Sequence, residues 1–283
     1  MKTIALFGAG QVGAMVSRLI APDWEAVCFA DNSADKRGSL LHGIPVLSPG
    51  EAAAMRPDAF CLCVTDRGRA GEMERQLRAL GYEGEIFTAA PLALFDARAA
   101  ALRQLSEQIN ALGVPGDAAE IGSYRGDFAA VINAAFPERR LHIFDTFEGF
   151  AEADVAVERS EGLSRAKAGD FSATGVEAVM SRLPHPGLAV FHKGWFPDTF
   201  RGCEGLRFAF VSVDADLYAP TAAALPLFWD RLSPGGAILV HDAGGTQYLG
   251  PARALREFCA PRRILPTPLS DLHGTVLLRK PLE

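Results

Sequence analysis

Glu120-Ile121-Gly122-Ser123-Tyr124-Arg125-Gly126 decides how this sequence is read. An apolar run, Ala118–Ile121, leads into it, and a helical pattern near Asp127–Ala135 follows. Glycines between a strand and a helix let the backbone turn sharply and let a ligand approach the main chain. A second strand near Leu141–Phe144 ends at Asp145, 19 residues beyond Gly126. A carboxylate at that strand tip suits the two hydroxyls of a ribose. The loop lacks the tight Gly-x-Gly spacing for a pyrophosphate, and it opens with an acid. Glu120 at the mouth repels phosphate and suits an ammonium or sulfonium, which points to S-adenosylmethionine rather than NAD.

Strand and helix patterns alternate outward from this loop, as expected for a parallel sheet covered on both faces. Further strands are expected near Leu188–Phe191, Phe208–Val213 and Ala237–Val240, with helices near Val176–Leu183, Thr221–Leu232 and Pro251–Phe258. Strands near Arg263–Leu265 and Thr275–Arg279 close the chain. The polar stretch 151–169 reads as an insertion or lid. The strand Phe208–Val213 runs into Asp214-Ala215-Asp216, and Ala237–Val240 runs into His241-Asp242. Asp214 and Asp242 stand 28 residues apart, about one strand–helix–strand crossover. Parallel neighbours end on the same sheet edge, so these carboxylates should converge. Oxygen ligands there suit a hard cation such as Mg²⁺, which would acidify a hydroxyl for attack on a methyl group. Asp216 reads instead as a cap of the following helix. His241 is open between ligand, base and hydrogen-bonded neighbour.

An earlier α/β unit begins with a strand near Thr3–Phe7 and the glycines Gly8, Gly10 and Gly13. A strand near Ala26–Ala30 ends at Asp31, 18 residues after Gly13. This fits the dinucleotide fingerprint. The expected organisation is a Rossmann-like unit over 1–96, a connecting helix and linker over 97–116, and a second unit over 117–283. The helix, with Leu102, Leu105, Ile109 and Leu112 in one stripe, reads as a spacer or as a contact between copies in a homo-oligomer.

The chain has 283 residues, 49% hydrophobic and 22% charged, with net charge −6. It carries no basic block to displace counterions from a nucleic acid, and no apolar run approaches the ~18 residues of a membrane span. Five cysteines without a Cys-x-x-Cys pair disfavour a disulfide framework. Together these point to a cytoplasmic protein with neither nucleic acid nor membrane as partner.

Six ordered segments carry a resemblance. They are the loop 120–126, Phe144-Asp145-Thr146-Phe147-Glu148-Gly149-Phe150, Gly169-Asp170-Phe171-Ser172, Lys193-Gly194-Trp195-Phe196-Pro197-Asp198-Thr199, Asp214-Ala215-Asp216-Leu217-Tyr218 and Leu232-Ser233-Pro234-Gly235-Gly236. In these, residues 117–280 resemble the macrocin O-methyltransferase family of class I S-adenosylmethionine-dependent methyltransferases. The resemblance implies two doubly wound units, the second a methyltransferase fold closed by an antiparallel strand. It implies a divalent-metal-dependent methyl transfer to a hydroxyl of a sugar or glycosylated natural product. Glu120, Gly122, Ser123 and Asp145 would surround the methionine and ribose, and Phe171 and Ser172 the adenine. Asp214, His241 and Asp242 occupy the places of the family's metal-binding carboxylates, with Asp214 and His241 as catalytic candidates. His241 departs from the family's aspartate, and imidazole favours Mn²⁺ over Mg²⁺. Pro226 should kink the helix after Asp216 or delay its start.

Lys193 and Trp195 would line an acceptor pocket or merely pack under the sheet edge, while His192 and His273 read as ordinary histidines. The first unit resembles the Rossmann-like domains of sugar-nucleotide-modifying proteins. Gly8, Gly10, Gly13 and Asp31 would hold a nucleotide or nucleotide sugar, or the unit would be purely structural. The rival functions are a non-catalytic binding module with a decayed metal site and an NAD-dependent oxidoreductase built on Gly8–Gly13.

Overall fold

A computed structural model describes residues Met1–Glu283, apart from the side chain of Ala93. The chain divides into two compact units, Met1–Asp96 with Ser270–His273, and Ala97–Leu269 with Gly274–Glu283.

In the first unit six strands, β1 (Lys2–Phe7), β2 (Trp24–Ala30), β3 (Leu40–Leu41), β4 (Ile44–Leu47), β5 (Ala59–Leu62) and β6 (Glu85–Thr88), lie in the order β3-β4-β2-β1-β5-β6. All pairs are parallel except the β3–β4 hairpin. Helices α1 (Gln11–Leu19), α2 (Pro49–Ala54) and α3 (Arg67–Ala79) connect them. Apolar side chains on alternate faces of β1 fall into separate clusters. Ile4 and Leu6 pack with Phe29 and Val46, while Ala5 and Phe7 pack with Phe60 and Leu77. The sheet is thus buried on both faces, which explains strands that read as continuous apolar runs.

The second unit has seven strands, β7 (Asp117–Ile121), β8 (Leu141–Asp145), β9 (Ala189–Lys193), β10 (Phe208–Val213), β11 (Leu232–Val240), β12 (Thr267–Pro268) and β13 (Val276–Arg279). Their order is β12-β13-β11-β10-β7-β8-β9. The sheet is parallel from β9 to β11 and antiparallel beyond. The helices are α4 (Ala97–Ala111), α5 (Asp127–Ala135), α6 (Glu152–Ser160), α7 (Val176–Met180), α8 (Tyr218–Arg231) and α9 (Gly250–Arg262). One face carries the apolar stripe of α4, where Leu102, Leu105 and Ile109 meet Ile132, Phe210 and Leu239. The other carries α8 and α9, with Phe228 under the rings of Phe144, Phe196, Phe200 and Phe208.

Several expectations are corrected. The polar stretch 151–169 contains α6, which buries Val155 beside Ala166, Leu217 and Tyr248. Its buried face also holds the acids Asp154 and Glu158. No strand forms at 263–265. Helix α9 runs to Arg262, Arg263 turns left-handed at φ 55°, and β12 begins only at Thr267. Helix α8 runs through Pro226, starting at Tyr218. Strand β11 begins at Leu232 and passes through Pro234-Gly235-Gly236, a register irregularity that the expected start at Ala237 missed. Asp216 does not cap α8, whose N-cap is Leu217 with no side-chain cap bond.

Candidate functional site

Each sheet reverses direction of growth next to its first strand. In the second unit the reversal falls between β7 and β10, and ligand crevices of open α/β sheets lie outside the strand ends at that point. The register there is tight. Ile121 pairs with Phe144 and with Val213, and Val213 pairs with Val240. Gly122, Asp145, Asp214 and His241 therefore emerge along one edge. Gly122 (φ 78°) is forced, because a Cβ there would lie 2.0 Å from the Asp214 carbonyl oxygen. Of the eight described non-glycine residues with positive φ, five lie in loops along this edge: Tyr124, Phe147, Phe171, Asp216 and Asp242. Backbone strain of this kind concentrates at ligand sites.

The Asp145 carboxylate is largely occupied by its own loops. Oδ2 accepts from the Ser123 and Tyr124 amides at 2.7 and 3.0 Å and from Ser123 Oγ at 3.2 Å. Oδ1 accepts from the Phe147 amide at 2.7 Å. Its visible work is to clamp the glycine loop, leaving capacity mainly on Oδ1. Asp31 does the same in the first unit, accepting from the Ala9 and Ser33 amides and from Lys36 Nζ. Burial opposes the charge on Asp31, but those donors outweigh it and hold its carboxyl below the usual range. Gly13 packs so closely that a Cβ would meet the Gly8 carbonyl oxygen at 1.9 Å, whereas a Cβ at Gly10 would face open space.

Glu120 is fully buried, and neither carboxylate oxygen has a hydrogen-bond partner. Burial pushes its carboxyl well up, against the pull of the Arg98 charge. Phe171 is 40% exposed and stands edge-on to Tyr124 and Phe150, both at 5.1 Å between ring centres. Ser172 is exposed beside it.

One carboxylate oxygen from each of Asp214, Asp216 and Asp242 lies within 4.8 Å of the others. His241 Nδ1 is 3.0 Å from Asp214 Oδ1 and 3.2 Å from Asp242 Oδ2. That nitrogen thus lies within ion-pair distance of both carboxylates. Burial opposes a charged ring, but Asp214 and the hydrogen bonds to both aspartates hold His241 up at about 10. Burial likewise works against the Asp214 charge, and Arg98 and His241 overcome it, holding the carboxyl well below the usual range. Asp216 goes the other way, pushed up by burial and by the charges of Asp214 and Asp242.

Sequence reasoning missed two members of this cluster. Asp216 joins because its left-handed backbone (φ 57°) turns it back toward Asp214, which strand alternation does not foresee. Arg98, on α4, reaches Asp214 Oδ2 at 2.7 Å and Ser212 Oγ at 2.8 Å across more than a hundred residues. Nothing in the local sequence marks it, because the contact forms only once α4 lies against the sheet. Trp195 donates to Asp154 at 2.9 Å, and Lys193 pairs with the exposed Glu148 at 3.2 Å. No described helix is long and apolar enough to cross a membrane.

The chain is similar to a tetracenomycin-type 4'-O-methyltransferase of Streptomyces olivaceus, named for its 8-demethyl-8-(2,3-dimethoxy-alpha-L-rhamnosyl)-tetracenomycin-C substrate. Identity is 34% over 50% of this chain and 58% of that protein. It is also similar to the mycinamicin III 3''-O-methyltransferase of Micromonospora griseorubida, 31% identical over 46% of this chain and 56% of the relative. The matched region thus spans less than two thirds of either curated relative. Among solved structures, the O-methyltransferase NovP superposes with a TM-score of 0.55 at 25% identity, covering 65% of this chain and 80% of that one. With the class I methyltransferase fold in place and residues 66–280 matching the macrocin O-methyltransferase (TylF) family model, the chain belongs to that family.

Proposed function

We propose that this protein transfers a methyl group from S-adenosylmethionine to a hydroxyl of a sugar, most simply one carried by a glycosylated natural product. The observation that carries the reading is the meeting of three aspartates beside the glycine loop at the sheet's reversal point. The sugar acceptor is suggested by the names of the two relatives, which act on a rhamnosyl tetracenomycin and on mycinamicin III.

S-adenosylmethionine supplies an electrophilic methyl on a positively charged sulfur. Neither oxygen of Glu120 has a hydrogen-bond partner, and a cationic group of the donor brought against it would favour the charged form that burial opposes; the exposed face of Phe171 offers a surface for a purine. Gly122 and Ser123, held by Asp145, shape the loop between them. The donor set of Asp214, Asp216 and Asp242 is all oxygen and fits a hard cation such as Mg²⁺ better than a softer ion; when bound, such an ion lowers the pKa of a hydroxyl. Arg98 and His241 orient the trio, each holding a different oxygen of Asp214. Because both Asp214 oxygens already face cations, Asp214 serves better as an orienting group than as a base. The proton of the acceptor hydroxyl would pass to a carboxylate oxygen of Asp242, whose Oδ2 lies 3.2 Å from His241 Nδ1.

Calorimetry with S-adenosylhomocysteine, followed by transfer of labelled methyl to a panel of sugar acceptors, tests the reading. Asp242→Ala should abolish transfer while leaving homocysteine-nucleoside affinity nearly intact. Equal turnover in the variant would reject the carboxylate mechanism.

For the first unit we propose a nucleotide or nucleotide-sugar site at Gly8–Gly13. Gly10 has no internal neighbour that requires a glycine, and the N-terminus of α1 has no side-chain cap. Both leave room for a phosphate.

A further inference from the structure

A second cluster of ligand-type side chains lies in the second unit, away from the carboxylate trio and built from different chemistry. His142 on β8 and His192 on β9 come from strands paired in register, Phe144 facing His192. His192 lies flat on the Phe144 ring, 4.2 Å between centres and 8° between planes. That stacking fixes the imidazole and aims Nε2 at two neighbours. His142 Nδ1 is 3.0 Å from it and Cys203 Sγ 4.0 Å. The three atoms lie within 4.8 Å of one another. On the far side of His142, Nε2 lies 3.3 Å from Asp117 Oδ2.

For tetrahedral zinc, bond lengths of about 2.05 Å to nitrogen and about 2.3 Å to sulfur require donor separations of about 3.3 Å (N–N) and about 3.6 Å (N–S). The observed 3.0 and 4.0 Å are each within half an ångström of those separations, a shift that side-chain torsions supply. The carboxylate behind a metal-binding imidazole is a recurrent feature, because it fixes the tautomer that presents a lone pair to the ion.

We propose that His142 Nδ1, His192 Nε2 and Cys203 Sγ form a binding site for one Zn²⁺ or a similar borderline transition-metal ion. Asp117 orients His142, and a water completes the fourth position. His142 keeps its proton on Nε2, directed at Asp117. His192 carries its proton on Nδ1. Binding breaks the Cys203 S–H bond and forms a metal–sulfur bond, and that proton leaves to solvent. His142 and Cys203 are buried, while His192 is only half-buried and leaves the ion a path of entry. The ion would clip β8 and β9 to the loop around Cys203, a structural role independent of the methyl-transfer reading.

The probe is Co²⁺, added to the chelator-stripped and desalted full-length protein. Expected is a near-ultraviolet thiolate-to-cobalt band that saturates at one ion per chain and is displaced by Zn²⁺. The band should vanish in Cys203→Ser and persist in Asp242→Asn. Asp117→Ala should weaken binding about 10–100-fold. Should Cys203→Ser fail to fold, His192→Asn at the half-buried ligand is expected to weaken binding at least tenfold. Absence of the band in the wild-type protein at millimolar Co²⁺, its survival in Cys203→Ser, or its loss in Asp242→Asn would each overturn the proposal.

Discussion

Arg98→Met isolates the electrostatics of the candidate site. Arg98 is 7% exposed, and its guanidinium lies 2.7 Å from Asp214 and 2.8 Å from Ser212 and sits 3.5 Å over the Phe128 ring. Methionine retains most of the stem and its packing but removes the charge. Asp214 then keeps only His241 as a cationic neighbour, with Asp216 and Asp242 close by. Breaking a buried ion pair from one side typically costs 3–5 kcal/mol, because the remaining charge has lost its compensation. His241 shares the compensation, so the lower end, about 3 kcal/mol, is expected. At about 2–4 °C per kcal/mol for a unit of this size, the melting transition of the second unit should fall by about 6–12 °C in scanning calorimetry. The double variant Arg98→Met/Asp214→Asn should cost less than the sum of the single changes, since the uncompensated charge is then gone. A drop in the single variant below about 2 °C, roughly 1 kcal/mol, would refute the view that this arginine holds the cluster together.

Three further outcomes follow from the geometry. Gly122→Ala places a Cβ 2.0 Å from the Asp214 carbonyl at φ 78° and should cost well above the ~1–2 kcal/mol of a left-handed alanine alone. Gly162→Ala, at φ 64° with nothing within 4 Å, should cost only that amount; equal losses in denaturation would contradict the close approach. Phe228→Ala, a fully buried ring among four phenylalanines, should destabilise the second unit by about 3–5 kcal/mol, and a loss under 1 would mean the cluster repacks freely. Asp31 has a lowered carboxyl pKa, so its charged form stabilises the first unit above the ordinary aspartate range, and that contribution disappears as pH falls through the lowered value. Amide exchange at Ala9 and Ser33 should therefore be faster in Asp31→Asn than in the wild type at neutral pH, with the gap closing in acid. A gap that stays constant with pH would exclude the linkage.

What the sequence made legible was what local pattern determines. Runs such as Phe208–Val213, buried throughout, could only be central strands, and the loops at Gly8 and Gly122 marked where each chain segment turns into its helix. From these, parallel strands and a common edge for Asp145, Asp214 and Asp242 follow. What escaped the sequence depends on contacts between distant residues or on unusual backbone. Arg98 finds Asp214 only once α4 lies on the sheet, and Asp216 joins the trio only through a left-handed turn. Helix α6 was hidden because its buried face includes two acids, one held by Trp195 and one by the Tyr218 amide. His142, His192 and Cys203 are ordinary residues in sequence and become a cluster only when β8 pairs with β9 and the connection before β10 brings Cys203 against His192.

The most direct test of the central claim is an amide-resolved NMR titration of the whole chain with S-adenosylhomocysteine. One ligand per chain should perturb the amides of Ser123, Tyr124 and Phe171 and leave Ala9 to Gly13 unmoved. Shifts confined to the Gly8–Gly13 loop, or none at millimolar ligand, would contradict a methyl-donor site at the reversal point of the second sheet.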